Sequence, residues 1–109
     1  MRERNVEQHL VARVKALGGE VRKVKWIGRR GAPDRLVLLS PEAGHRIAVL
    51  NNAFGREPRN YSRQHIMVEL KRPGLDAEDY QAREHERLRA AGFAVLVLDT
   101  IEKIDEVFG

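Results

Sequence analysis

The chain has 109 residues and a net charge of +4; 42% of its residues are hydrophobic, 33% are charged, and none is cysteine. This composition predicts one globular domain with a modest core. It excludes disulfides and thiolate metal sites, which fits a reducing cytoplasm. No apolar run reaches the ~18 residues of a membrane span, and the first residues, Met-Arg-Glu-Arg-Asn, lack the apolar segment of a secretory signal. We therefore expect a cytoplasmic protein.

The charge is unevenly distributed along the chain. Six basic residues and one acid lie between Arg22 and Arg35, whereas five acids and two arginines lie between Asp76 and Arg87. A basic side opposite an acidic side suits a protein that binds a polyanion. The alternative is a solubilising surface on which the charges cluster by accident.

Apolar spacing, turn residues and capping residues predict an α/β sandwich around a mixed sheet, in the order αββββαβα. The helices are predicted over Glu3–Leu17, from a cap at Asp76 to Gly92, and over Ile101–Phe108 after a cap at Thr100. The strands are predicted over Val21–Trp26, Arg35–Leu39, His45–Leu50, His65–Lys71 and Ala94–Leu98, with a hairpin across the Pro41–Gly44 turn. Irregular segments are predicted over Ile27–Pro33 and Asn51–Gln64. A right-handed crossover would leave the last two strands parallel.

Charged residues on apolar strands are the first candidates for chemistry. Glu69 and Lys71 project from one face of a strand, where burial of unpaired charge costs several kcal/mol. An ion pair between them is the simplest explanation. Asp34 adds a second carboxylate, however, and two carboxylates held together repel unless a proton or a cation joins them. A hard ion such as Mg²⁺ accepts one or two carboxylates together with water and phosphate.

Two polar residues lie on the apolar faces of the predicted helices. Glu7 shares its face with Leu10, Val11 and Val14. Its position near the helix start, where a carboxylate interacts favourably with the dipole, is an alternative explanation. Gln81 follows the Glu-x-Lys strand by one helix, and a lone glutamine there is also compatible with a satisfied core amide.

Taken in order, these residues resemble the VRR-NUC branch of the PD-(D/E)xK nuclease superfamily. The resemblance is carried by Gly31-Ala32-Pro33-Asp34, Glu69-Leu70-Lys71 and Gln81, preceded by helical Glu7. It covers nearly the whole chain, as in the stand-alone, often phage-borne members. It implies a restriction-endonuclease-like fold in one domain over residues 1–109.

The resemblance also implies roles for these residues. Asp34 and Glu69 would bind Mg²⁺, or Mn²⁺ in its place, with the backbone carbonyl of Leu70 as a third ligand. Lys71 would orient or help deprotonate the attacking water. Gln81 would position Lys71 or that water, and Glu7 would complete the site directly or through a metal-bound water. Members of the superfamily typically leave a 5′-phosphate.

DNA is the expected substrate, and relatives that resemble Holliday-junction resolvases suggest branched or flapped DNA and a homodimer. Phosphate contacts are expected from Lys23, Lys25, Arg29, Arg30, Arg35, Arg56, Arg59, Arg63 and Arg72. The segment Asn51–Gln64 is longer than the corresponding connection in stand-alone relatives, and contact with DNA or a second subunit competes with a tolerated insertion. The alternative function is a non-catalytic DNA-binding or scaffold module that keeps the nuclease fold.

Overall fold

The computed structural model describes residues 3–28, 30–54, 65–71 and 77–109. Its helices are α1 (Glu3–Ala16), α2 (Pro41–Leu50), α3 (Asp79–Ala90) and α4 (Ile101–Phe108). Its strands are β1 (Glu20–Lys23), β2 (Arg35–Leu38), β3 (His65–Leu70) and β4 (Ala94–Leu98). None of the helices in these ranges is long and apolar enough to cross a membrane.

The four strands form one mixed sheet in the order β1-β2-β3-β4. β1 pairs with β2 and β2 pairs with β3 in antiparallel fashion, whereas β3 and β4 are parallel. The parallel pair requires a crossover connection, and α3 lies within it. The predicted α/β sandwich around a mixed sheet is therefore confirmed, and so is the parallel pairing of the last two strands.

The predicted strand His45–Leu50 is wrong, because this segment belongs to helix α2. Ser40 caps the helix: its side chain accepts a hydrogen bond from the backbone N–H of Ala43 at 3.3 Å. Pro41 fits the first turn, where no partner for its missing N–H is needed. The observed order is therefore αββαβαβα, and no hairpin is formed across the Pro41–Gly44 turn.

Other boundaries shift by a few residues. α3 begins at Asp79 after an N-cap at Glu78, whereas the predicted cap, Asp76, lies outside the described residues. Its end is as predicted: Gly92 has φ +97°, and the N–H of Phe93 donates to the carbonyl of Leu88 at 2.9 Å, which is a Schellman cap. The predicted strand Val21–Trp26 is observed as Glu20–Lys23, and the predicted loop Asn51–Gln64 is described only to residue 54.

The two faces of the sheet are covered differently. α1, α2 and α4 pack on one face around a large apolar cluster that contains Leu10, Ile47 and Phe108. α3 covers the other face, where the buried apolar cluster consists of Met67, Leu88 and Val95. We call these the core face and the α3 face.

Candidate active site

Strand register brings the two predicted metal-binding carboxylates together. Arg35 of β2 pairs with Val68 of β3, so the antiparallel ladder, continued by one residue, places Asp34 opposite Glu69. The backbone carbonyl of Asp34 still accepts a hydrogen bond from the N–H of Val24 at 2.9 Å, which continues the β1–β2 ladder to this position. Residues that are opposite each other in an antiparallel pair project from the same face. Asp34 and Glu69 therefore share a face at the end of the sheet.

Alternation along the strands identifies this face as the α3 face. Leu36 and Met67 are register partners, and both pack in the apolar cluster beneath α3. Asp34 and Glu69 lie two residues from them along their strands and so share their face. The Asp34 side chain is 56% exposed and that of Glu69 is 13% exposed. One carboxylate is thus open to solvent and the other lies deeper.

Lys71 follows Glu69 by two residues and lies directly after the end of β3, within the predicted strand His65–Lys71. Its backbone N–H donates to the carbonyl of Leu98 at 3.0 Å, which extends the parallel β3–β4 ladder by one residue. Its ammonium is close enough to α3 to act on the charge of His85. The Glu-x-Lys pair therefore lies along the part of the sheet that faces α3.

The loop that leads to Asp34 is held against the first turns of α3. Gly31 has φ +87°, and a Cβ at this position would lie 3.0–3.1 Å from atoms of Tyr80 and Gln81, so only glycine fits without a shift. The guanidinium of Arg30 lies 4.0 Å from the centre of the Tyr80 ring. At the other end of the loop, the indole N–H of Trp26 donates to the carbonyl of Pro33 at 2.8 Å. These contacts fix the approach of the chain to Asp34.

Arg35, which the sequence analysis names among the phosphate contacts, is buried and ion-paired. Its side chain is only 8% exposed, and its guanidinium lies 2.7 Å from Glu7 Oε2 and 2.8 Å from Asp34 Oδ1. Burial alone would lower the pKa of Arg35, but the hydrogen bonds and negative charges of Glu7 and Asp34 outweigh burial and raise it. The buried guanidinium thus bridges the carboxylates of Asp34 and Glu7. Its predicted contact with DNA stays a prediction.

The position of Glu7 on an apolar helix face is explained by this pairing. Val6, Leu10 and Val14 of α1 are fully buried, whereas the Glu7 side chain is 29% exposed. Glu7 accepts from Arg35, and its second oxygen lies 3.8 Å from Lys23 Nζ. Arg35 therefore links Glu7 to Asp34. This contact was not predicted from the sequence.

Gln81 is buried and has a structural contact at the start of α3. Its side-chain oxygen accepts a hydrogen bond from the backbone N–H of Glu78 at 2.9 Å, as in a capping box. Because Gln81 also lies against Gly31, it stabilises the helix turn on which the loop rests. Its predicted action on Lys71 or water stays a prediction.

His85 is the buried histidine of this region. It is 1% exposed and lies on α3, one turn after Gln81. Burial and the nearby charges of Arg89 and Lys71 lower the pKa of His85, despite the opposing effects of Glu84 and a hydrogen bond to the Gly31 backbone. The ring is therefore neutral near pH 7.

The donor set fits a hard divalent ion that the substrate helps to bind. Among the described residues, no three acidic or histidine side chains converge as a complete metal site. Two carboxylates in register and a neighbouring backbone carbonyl are nevertheless oxygen ligands, and Mg²⁺ is usually held by one or two carboxylates together with water and substrate phosphate. Asp34 and Glu69, with the Leu70 carbonyl, are thus suitable ligands.

The predicted DNA contacts are only partly within the described chain. Lys23 and Lys25 are exposed beside the β1 end of the sheet, and Arg30 is exposed on the loop that leads to Asp34. Five of the predicted contacts lie outside the described residues: Arg29, Arg56, Arg59, Arg63 and Arg72. Lys23 lies opposite Arg35 in the β1–β2 ladder, and its Nζ lies 3.8 Å from Glu7 Oε1.

Comparison with known proteins identifies the class of the fold. No family profile matches the chain. A solved structure named "VRR_NUC domain" aligns with a TM-score of 0.68 and 33% sequence identity, covering 95% of this chain and 90% of that chain. The fold is therefore the restriction-endonuclease-like fold of the PD-(D/E)xK superfamily, as the sequence motifs predicted.

A curated relative agrees with this assignment. The chain is 40% identical over 100 residues to "Putative nuclease p44" of Acyrthosiphon pisum secondary endosymbiont phage 1, which covers 92% of this chain and 85% of that protein. This chain belongs to the VRR-NUC family.

Proposed function

We propose that this protein is a divalent-metal-dependent endonuclease that hydrolyses the phosphodiester backbone of DNA. The observation that supports this most directly is the β2–β3 register, which sets Asp34 opposite Glu69 when it is continued one residue beyond the Arg35–Val68 pair. Membership of the VRR-NUC family and the name of the phage relative support the same reaction class. A non-catalytic DNA-binding module has no need of two adjacent carboxylates with Lys71 beside them.

Asp34, Glu69 and the carbonyl of Leu70 are the residues that would hold Mg²⁺ or Mn²⁺. A bound divalent ion supplies a water of lowered pKa and neutralises the charge that develops on the phosphate. Hydrolysis joins the water oxygen to phosphorus and breaks the bond from phosphorus to O3′, which leaves a 5′-phosphate and a 3′-hydroxyl.

The protein's own side chains orient the reactants. Lys71 lies beside Glu69, where its ammonium can donate to the attacking water and to a phosphate oxygen. Arg35 holds Asp34 in one orientation through a 2.8 Å contact, and Glu7 holds Arg35 through a 2.7 Å contact. Groups that are already oriented lower the activation barrier, because no further entropy is lost in orienting them during the reaction.

The substrate we propose is branched or flapped DNA, bound by a homodimer. Lys23, Lys25 and Arg30 provide exposed positive charge near Asp34, which suits contacts to the phosphate backbone. The described part of the chain spans 31 × 31 × 24 Å, slightly less than the ~34 Å of one helical turn of DNA. A junction has more than one duplex arm, so two copies with two sites match it better than one.

Cleavage assays with matched variants test this proposal. Labelled flaps, junctions, duplexes, single strands and a supercoiled plasmid are incubated with Mg²⁺, Mn²⁺ or EDTA. We expect cleavage only with metal, and fastest on branched substrates. Asp34→Asn and Glu69→Gln should abolish cleavage and weaken Mn²⁺ binding, whereas Lys71→Ala should abolish cleavage with Mn²⁺ still bound. Glu102→Gln, an exposed acid on α4, is the control and should cleave normally.

Each part of the proposal would be rejected by a different result. DNA binding without cleavage in either metal would favour the non-catalytic module. Cleavage by Lys71→Ala at the normal rate would remove Lys71 from the reaction. Equal rates on junctions and plain duplexes would reject the proposed substrate while leaving the nuclease intact, and a monomer on a junction would reject the dimer.

A further inference from the structure

We propose that His85 is a positioning residue that holds the Gly31 loop, and with it Asp34, in place against Glu69. This inference rests on the proposed function, since it concerns the same two carboxylates. It assigns to α3 a role beyond covering the sheet: one buried ring joins the two segments that carry the site.

The contacts of His85 reach both segments. The ring makes a hydrogen bond to the backbone of Gly31, three residues before Asp34. Its Nε2 lies 3.9 Å from Glu69 Oε1 on β3. Because Nε2 is buried and has no hydrogen-bond partner within the described residues, the bond to Gly31 is assigned to Nδ1. One nitrogen thus faces the loop and the other faces the carboxylate.

The two contacts are unequal in strength. A separation of 3.9 Å exceeds the 2.7–3.2 Å of a hydrogen bond, so the ring contacts Glu69 without a direct hydrogen bond. The Gly31 contact is a hydrogen bond in a buried environment, where the loss of one partner is costly. We therefore expect the link to Gly31 to carry most of the positioning.

This link is significant because the site depends on two separate segments. Glu69 is fixed within β3, between paired strands, whereas Asp34 lies at the end of an irregular loop. The correct separation of their carboxylates therefore depends on how the loop is held. Tyr80 and Gln81 limit the space around Gly31, and His85 adds a directional bond. Residues that support metal ligands in this way typically change metal affinity by about 10–100-fold when they are mutated.

Amide substitutions separate the two ring nitrogens. The side-chain amide of His85→Asn can donate from nearly the position of Nδ1, so the bond to Gly31 is retained. His85→Gln places its amide nearer the position of Nε2, so that bond is lost. His85→Leu removes both polar atoms at similar volume. Leu88→Val, at a buried position one turn further along α3, is the control for loss of packing alone.

The experiment is a calorimetric titration of Mn²⁺ into each full-length protein without DNA, together with thermal unfolding in EDTA. We expect His85→Leu and His85→Gln to raise the Mn²⁺ dissociation constant by about 10–100-fold. His85→Asn should bind Mn²⁺ nearly as the wild type does. Leu88→Val should lower the unfolding temperature with its Mn²⁺ affinity unchanged.

Three outcomes would overturn the assignment. His85→Leu could bind Mn²⁺ like the wild type, His85→Asn could be as defective as His85→Leu, or Leu88→Val could lose as much Mn²⁺ affinity for the same loss of unfolding temperature. If the wild type binds Mn²⁺ but cleaves no DNA, the nuclease proposal fails while the titration still decides the role of His85. If the wild type binds no Mn²⁺ in this titration, the role assigned to His85 fails, and the cleavage assays decide the nuclease proposal separately.

Discussion

The two faces of the sheet differ in what they bury. On the core face, α1, α2 and α4 bury an extended cluster of aliphatic residues together with Phe54 and Phe108. On the α3 face the buried apolar cluster is small, and Gln81, Glu84 and His85 of α3 are buried as well. Burial of polar groups costs free energy unless they are hydrogen-bonded. The core face can therefore provide most of the stability, and it leaves the α3 face free to hold polar groups for chemistry.

Arg35 connects the two faces. In β2, the side chain of Arg35 projects from the opposite face to Leu36 and from the same face as Val37, which belongs to the core cluster. Its guanidinium nevertheless reaches Asp34 as well as Glu7 of α1. A helix on the core face thus affects the orientation of a carboxylate on the other face.

The largest change in stability is expected from the core face. Leu10 is fully buried, and Leu10→Ala should lower the free energy of unfolding by about 2–5 kcal/mol because it leaves a cavity. Cleavage per folded molecule should not change. Chemical denaturation and single-turnover assays at low temperature measure the two quantities. Val11→Ala, at a 42% exposed position on the same helix, is the control; an equal loss in both variants would contradict the assignment of the core.

Arg35→Gln should affect both faces at once. The variant leaves Glu7 and Asp34 without their shared cation, and the loss of charged hydrogen bonds should cost about 1.5–3 kcal/mol of stability. The cleavage rate should also fall, since Asp34 loses its fixed orientation. Arg22→Gln, at an exposed arginine on β1, should change neither stability nor rate. Normal cleavage by Arg35→Gln would show that Asp34 needs no such support.

Gly31→Ala should act mainly on the α3 face. Alanine at φ +87° costs about 1–2 kcal/mol, and its Cβ would displace Tyr80 or the backbone of α3. Because the loop leads to Asp34, we expect a larger loss of cleavage than this stability change explains. Gly18→Ala, at φ +82° with no atoms within 4 Å, carries the same strain without the crowding. Equal effects of the two variants on cleavage would contradict a specific role for the loop.

The smallest expected effect is a pH dependence of stability that arises on the α3 face. The pKa of His85 is lowered by folding, so the unfolded chain binds a proton at a higher pH than the folded protein does. Stability in the metal-free protein should be complete above the ordinary histidine pKa of 6.5 and should fall as the pH decreases below it. Denaturation between pH 8 and about 5.5 measures this. His85→Asn should flatten the curve, and an unchanged slope would show that another group titrates.

The sequence predicted most of the fold because the decisive signals are local. The Schellman cap at Gly92, the cap at Thr100 and the apolar run Ala94–Leu98 all lie within a few residues of what they determine. The segment His45–Leu50 was predicted wrongly because a short apolar run fits a strand or a helix equally well. Ser40-Pro41, which was interpreted as the end of a strand, is also a favourable helix start.

Part of the geometry of the candidate site follows from the sequence, and the roles of its residues stay predictions. The spacing of Glu69 and Lys71 and the position of Asp34 before a strand were visible in the sequence, and the register now places the two carboxylates opposite each other. The pairing of Arg35 with Glu7 was not visible, since it joins residues 28 positions apart. Strand alternation was the missed signal: it places Arg35 on the same face as Val37, where an arginine requires an anionic partner.

The central claim is that Asp34 and Glu69 form one divalent-metal site on the α3 face. Anomalous diffraction from a crystal soaked in MnCl₂ tests it most directly. The account predicts one strong peak about 2.0–2.6 Å from a carboxylate oxygen of each residue. A peak elsewhere, or side chains of Asp34 and Glu69 that point to opposite faces of the sheet, would contradict it.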